Sequence, residues 1–179
     1  MLKVWDPLVR LLHWGLVAGV TAAWLSREGW PALHDAAGHL VLGLVAVRAV
    51  WGLVGPGNAR FRGFVRAPRA TLAYLRAVLA GREPRHIGHN PLGGWMIVAL
   101  LLASLAAGFS GWLYTTDAYW GVERVERLHA LSADLLLVLA GLHVAGVLFT
   151  SARQRENLVA AMIHGRKPRT TGHDTATPG

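Results

Sequence analysis

Four long apolar blocks constrain this chain more than anything else in it. They are Leu8–Leu25, Ala36–Val54, Trp95–Leu113 and Leu131–Phe149, each 18–19 residues long. A helix rises about 1.5 Å per residue, and about 20 apolar residues cross the ~30 Å hydrocarbon layer of a bilayer. The apolar residues come in blocks rather than in amphipathic stripes. Barrel strands would be about half as long and would alternate. The sequence therefore predicts an all-α membrane protein, a bundle of four transmembrane helices, with spans near 8–25, 36–54, 95–113 and 131–149. Residues 1–168 read as one domain and residues 169–179 as a disordered cytoplasmic tail. A hydrophobic content of 53% and a mean hydropathy of +0.36 agree with this.

No signal-peptide cleavage site is read after the Met-Leu-Lys start, so the first block is expected to be a retained span. There is no cysteine among the 179 residues. Thiolate-bound iron–sulfur clusters, thioether-attached haem and disulfides are thereby excluded. Metal chemistry must rely on the nine histidines.

The net charge of +8 raises the possibility of nucleic acid, but the charge is unevenly distributed. Lys3 precedes the first span and Arg10 stands at its start. Arg60, Arg62, Arg66, Arg69, Arg76, Arg82 and Arg85 fill the loop between spans two and three, and Arg153, Arg155, Arg166, Lys167 and Arg169 follow span four. The other two loops hold Arg27, Arg124 and Arg127 among Glu28, Asp35, Asp117, Glu123 and Glu126. This is the positive-inside pattern. It predicts a multi-pass protein of the bacterial inner membrane with both termini and the long loop in the cytoplasm, and it argues against a nucleic-acid partner.

Turn and cap residues mark the ends. Trp5 suits the headgroup level and Asp6-Pro7 a helix start. Gly29-Trp30-Pro31 makes a tight turn, Gly55-Pro56-Gly57-Asn58 stops span two, and His89-Asn90-Pro91 leads into span three. Pro68–Leu79 reads as a short amphipathic helix whose arginines and apolar face suit the membrane surface. Span three has no histidine and is rich in glycine, alanine and serine, which permits close helix packing.

The chemistry rests on a spacing. His129 and His143 are fourteen residues apart, and four helical turns take about 14.4 residues, so both fall on one face about 21 Å apart along the axis. Imidazoles at two depths suit two stacked metal centres, and neutral imidazole is a common haem-iron ligand. His13, near the cytoplasmic start of span one, matches the depth of His143. His34, near the periplasmic start of span two, matches His129. His34 plus fourteen is Arg48 and His13 plus fourteen is Arg27. Both arginines are candidates to pair with haem propionates, since a guanidinium meets a carboxylate in a bidentate way. Gly38, Ala133 and Ala140 leave room beside a flat macrocycle.

Other positions read as ordinary structure. His39 lies about 140° around the helix from His34, off that face. His86 and His89 read as loop residues with cap or interface contacts, and His164 and His173 as tail residues. Most tryptophans read as membrane anchors, with Trp14 also placed to pack on a haem. Asp134 is an intramembrane acid, open to a functional role or to simple hydration.

Several stretches resemble the prokaryotic cytochrome b561 family, which includes b-type subunits of hydrogenases. They are Pro7-Leu8-Val9-Arg10-Leu11-Leu12-His13-Trp14, His34 with Gly38, Arg48 and Trp51-Gly52, Gly88 through Met96, Leu128-His129 through Leu142-His143, and Arg155-Glu156-Asn157-Leu158. The resemblance covers roughly residues 4–168. It implies a four-helix membrane cytochrome with two haem b groups, exchanging electrons between quinone and a redox partner such as a periplasmic c-type cytochrome or a hydrogenase. A departure falls at Asp134, where the family more often has Asn. A superoxide:ubiquinone oxidoreductase is the alternative within this resemblance, although a cationic entry for the anion is lacking. A haem-free membrane scaffold or transporter subunit is the alternative outside it.

Overall fold

The structure is a computed structural model and describes residues 2–84, 86 and 88–167. It is all-α apart from one pair of two-residue strands. Strand β1 (Leu2–Lys3) is followed by α1 (Pro7–Ser26), α2 (Pro31–Val54), a 3₁₀ turn (Gly57–Ala59), α3 (Phe61–Phe64), α4 (Pro68–Leu79), α5 (Pro91–Tyr114), α6 (Glu123–Gln154), α7 (Leu158–His164) and β2 (Arg166–Lys167). Four helices, α1, α2, α5 and α6, are long and apolar enough to cross a membrane. The chain is a multi-pass membrane protein.

The long helices outrun the apolar blocks because polar caps and turn residues extend them. Asp6 Oδ1 accepts from the amides of Leu8 (2.9 Å) and Val9 (3.2 Å), satisfying two of the donors that a helix start leaves open. Asn90 Oδ1 accepts from Gly93 N at 2.7 Å at the start of α5. Pro31 and Pro91 stand first in their helices, where a missing N–H costs nothing. Helix α6 begins eight residues before the apolar block at Leu131, so His129 lies well inside it.

Burial along the spans is inverted relative to a water-soluble protein. Large apolar side chains such as Leu25 and Leu53 are about three-quarters exposed, at 75% and 73%, while Ser104, Ser110, Ser132, Ala103 and Ala107 are buried. Lipid tails solvate leucine as well as a protein core does, so small residues move inward and let helices approach closely.

The described residues form two compact units. The clasp unit takes its residues from Met1–Arg10, Val50–Val98 and Leu142–Gly179, and the histidine unit takes Leu11–Ala49 and Ala99–Gly141. In the clasp unit β1 pairs antiparallel with β2, Leu2 opposite Lys167 and Lys3 opposite Arg166. Val4 and Trp5 donate to Gly165 O, and Arg10 Nη1 to Ile163 O at 2.8 Å. Val4, Trp5 and Ala161 form a small core. This corrects two expectations. Trp5 is packed in the protein rather than presented at its surface, because strand pairing draws it onto α7. His164 ends a helix rather than lying in a tail, because Asn157 caps α7 and Gly165 closes it in the left-handed region (φ 78°). The expected tail, residues 169–179 with His173, lies outside the described residues.

His86 and His89 are also more embedded than loop residues would be. The His89 ring stands 4.5 Å from Trp5 and 4.6 Å from Phe64, and the His86 ring meets Tyr74 edge-on at 5.2 Å. Burial pushes the Tyr74 hydroxyl pKa up, Glu83 adds to this, and a hydrogen bond with Asn90 opposes it.

Candidate functional site

In the histidine unit residues of α2, α5 and α6, with Arg27 from the turn after α1, line a cavity. It measures about 470 Å³, and both His34 and His129 line it. Cofactor pockets commonly enclose about 300–1,000 Å³. The two imidazole centroids are 5.9 Å apart with planes at 87°. Metal–imidazole bonds are about 2 Å long, so two rings sharing one ion between facing nitrogens have centroids about 6 Å apart.

Each ring is held by one nitrogen. His34 Nδ1 lies 2.8 Å from Ala23 O, and His129 Nδ1 lies 2.9 Å from Ala107 O. A carbonyl only accepts, so Nδ1–H donates in both, and Nε2 keeps the lone pair that a metal needs. A backbone carbonyl holding the far nitrogen is the usual support for a metal-bound histidine.

The local sequence explains why these carbonyls are available. Helix α1 ends at Ser26, so Ala23 O is among the last four carbonyls, which have no helical N–H partner. Ala107 O is mid-helix, but the residue one turn on is Gly111. A Cβ there would stand 2.9 Å from His129 Cε1 and 3.0 Å from Nδ1. Glycine therefore opens the α5 surface to the ring, which reaches the carbonyl's second lone pair. Gly108 similarly admits Leu42 of α2, whose Cγ would lie 2.7 Å from a Cβ at that position.

Gly38 also lines the cavity, and no atom lies within 4 Å of a Cβ built on it. Arg27 lines it too, by a route that the fourteen-residue extrapolation does not describe. The helix stops one residue before it, and Arg27 stacks over Trp24 at 3.7 Å and pairs with Glu28 at 3.2 Å. His39 also lines the cavity, its Nδ1 2.9 Å from Asp35 O. Ala107, Gly111, Tyr114 and Thr115 complete one wall. Sequence reasoning noted small residues on span three but did not assign them to a site. The spacing of Ala107, Gly108 and Gly111 is the signal that was available.

The second set is arranged differently. His13 lies on α1, half-buried, with its ring edge-on to Trp14 at 5.0 Å. Arg48, on α2, is buried at 5% exposure. His143 lies on α6 in the clasp unit, whereas His13 and Arg48 belong to the histidine unit. Asp134 is exposed on α6. Among the described residues no three of His, Cys, Asp and Glu converge on one point. The cavity is thus lined by a pair of imidazole donors rather than by a larger cluster.

The fold and this pair define a class: a multi-pass membrane protein of four long helices with two imidazoles held ready around a cavity. The chain belongs to the prokaryotic cytochrome b561 family, which it matches over residues 4–165. A similar curated protein is a probable Ni/Fe-hydrogenase B-type cytochrome subunit of Rhizobium leguminosarum bv. viciae, 24% identical over 160 residues, covering 75% of this chain and 67% of that protein. No solved structure matches the chain significantly.

Proposed function

We propose that the protein is a di-haem b-type cytochrome that carries electrons across the bacterial inner membrane. In this reading the quinone pool lies at one end and a periplasmic redox partner, a c-type cytochrome or a hydrogenase, at the other. The observation that carries it is the His34–His129 pair, each ring tied by Nδ1–H to a backbone carbonyl, beside a cavity left open at Gly38. Family membership and the hydrogenase-subunit relative support the electron-carrier role.

Haem b, when bound, supplies one-electron redox chemistry. The chain's own residues do the rest. His34 and His129 would hold the periplasmic-side haem, and their carbonyl partners fix ring orientation and raise the basicity of Nε2. His13 and His143 would hold the cytoplasmic-side haem. Arg48 neutralises a propionate there, which accounts for a buried guanidinium in a span. Arg27 plays the same part on the periplasmic side. Each haem would be held by a histidine pair, and the chemistry it would supply there is electron transfer. Both termini are cytoplasmic by the arginine distribution.

The test is haem stoichiometry on purified protein. Wild type is expected to bind two haems per chain and to show a b-type reduced spectrum. His34→Ala and His129→Ala should each lose one haem, and His13→Ala and His143→Ala the other. Purified protein without haem, or histidine variants with unchanged haem content, would overturn the reading.

A further inference from the structure

Helix α4 presents three sectors around its axis. At 100° per residue, Tyr74 marks the inward face, where it is buried. Pro68, Leu72, Leu75 and Leu79 form a stripe about 100–160° away, and the three leucines are exposed, Leu79 at 80%. Arg69 and Arg76 follow at about 200–220°, on the far side of that stripe, and both are exposed. A groove of about 300 Å³ runs along the stripe, lined by Pro68, Thr71, Leu72 and Leu75 of α4 and by Leu92 and Trp95 of α5. Trp95 borders it with its indole N–H donating to Arg66 O at 3.0 Å.

Charge identifies the occupant. Between Gly55 and Arg82 the chain carries six arginines and no acid. Glu83, the first acid after them, is engaged by Arg153. A soluble acidic protein would satisfy the arginines but not an exposed leucine stripe and an apolar groove. A zwitterionic lipid would satisfy the groove but not the arginines. A molecule with an acyl chain and a net negative headgroup satisfies both.

We propose that the α4–α5 groove binds one anionic phospholipid, its acyl chain along Leu72, Leu75, Leu92 and Trp95 and its phosphate beside Arg69 and Arg76. This goes beyond the electron-carrier reading and does not depend on it. It makes α4 a specific lipid site rather than a helix that merely floats at the surface.

Detergent-solubilised full-length protein is titrated with phosphatidylglycerol or with phosphatidylcholine of the same acyl chains, and bound lipid is counted by native mass spectrometry. Phosphatidylglycerol is expected to bind roughly thirtyfold more tightly, the effect of two basic contacts. Arg69→Gln with Arg76→Gln should reduce its affinity to that of phosphatidylcholine. Thr71→Trp, which fills the groove, should weaken both lipids. Glycerol phosphate in excess should displace neither. Size-exclusion profiles and intrinsic fluorescence melts establish that the variants are folded. The proposal fails if the two lipids bind equally, if folded variants bind as wild type, if glycerol phosphate displaces the lipid, or if the groove is occupied by a second copy of the chain.

Discussion

The histidine unit and the clasp unit solve the burial of polar groups in opposite ways. In the histidine unit the buried polar side chains are serines, which bond backward to their own helix as Ser26 and Ser110 do, while the half-buried imidazoles bond carbonyls of neighbouring helices. Arg48 is the charged exception. In the clasp unit charges are buried as pairs. Lys167 Nζ lies 3.6 Å from Glu156 Oε2, with both side chains almost fully enclosed, and side chains reach across the sequence, Asn58 to Val4 and Trp51 to Asp6. Hydrocarbon offers no water to a stray polar group, so a span can afford few charges and must use its own backbone as partner. The comparison shows where space has been left. The clasp unit fills its interior with ion pairs and aromatic–histidine contacts. The histidine unit keeps a cavity beside two imidazoles whose orientation is already set.

The strongest way to break this contrast is to fill that cavity. A side chain at Gly38 meets nothing within 4 Å. If the cavity were only a packing defect, Gly38→Leu would be neutral or stabilising. If it holds a macrocycle, the variant folds but loses one haem per chain, read from the pyridine haemochrome spectrum. Next in size is the clasp. Glu156→Gln leaves Lys167 buried without its carboxylate, and breaking one side of a buried pair costs about 3–5 kcal/mol. A marked fall in the melting temperature of the detergent-solubilised protein is expected. Replacing the pair together, Glu156→Leu with Lys167→Met, should recover most of it. Smaller still is Gly111→Ala. The new methyl presses on the His129 ring, which must turn and release Ala107 O. Loss of such a supporting bond typically costs about 10–100-fold in metal affinity. Haem should titrate out of that site at correspondingly lower chelating pressure, with the clasp unaffected.

Much of this contrast was legible in the sequence. The four blocks gave the helices because a span needs length and apolarity and little else. Asp6-Pro7, Gly29-Trp30-Pro31 and Asn90-Pro91 gave helix starts because caps and turns are local chemistry. Helix α4 was readable from its leading proline and its stripe. The approach of His34 to His129 follows from matching depths along helices, and their role as ligands is the proposal built on it. What was not legible depends on a second segment. Which carbonyl receives each Nδ1–H depends on where a neighbouring helix ends, as at Ala23, or lacks a Cβ, as at Gly111. Two-residue strands have no period to detect, so the clasp, and with it the burial of Trp5 and Lys167 and the ring contacts of His89, was invisible. Arg27 shows the limit of extrapolating a helix past its end: it reaches the cavity from a turn.

The smallest effect separates the units by pH. His86 lies in the clasp unit outside the spans, and its pKa is lowered below its ordinary value of about 6.5, first by burial and then by Arg66 and Lys167. Above that value the imidazole is neutral in both folded and unfolded chains and contributes no pH dependence. As pH falls below it, the unfolded chain takes up the proton before the folded one does, so stability drops until the folded pKa is also passed. The groups acting on the ring, Tyr74 edge-on with Arg66 and Lys167 nearby, offer no carboxylate that would reverse the sign. His86→Asn removes the ionisation and should flatten the decline in melting temperature below pH 6.5 while leaving the value at pH 8 nearly unchanged. If the decline is equally steep in the variant, the acid sensitivity arises from other groups and the clasp does not hold His86 neutral.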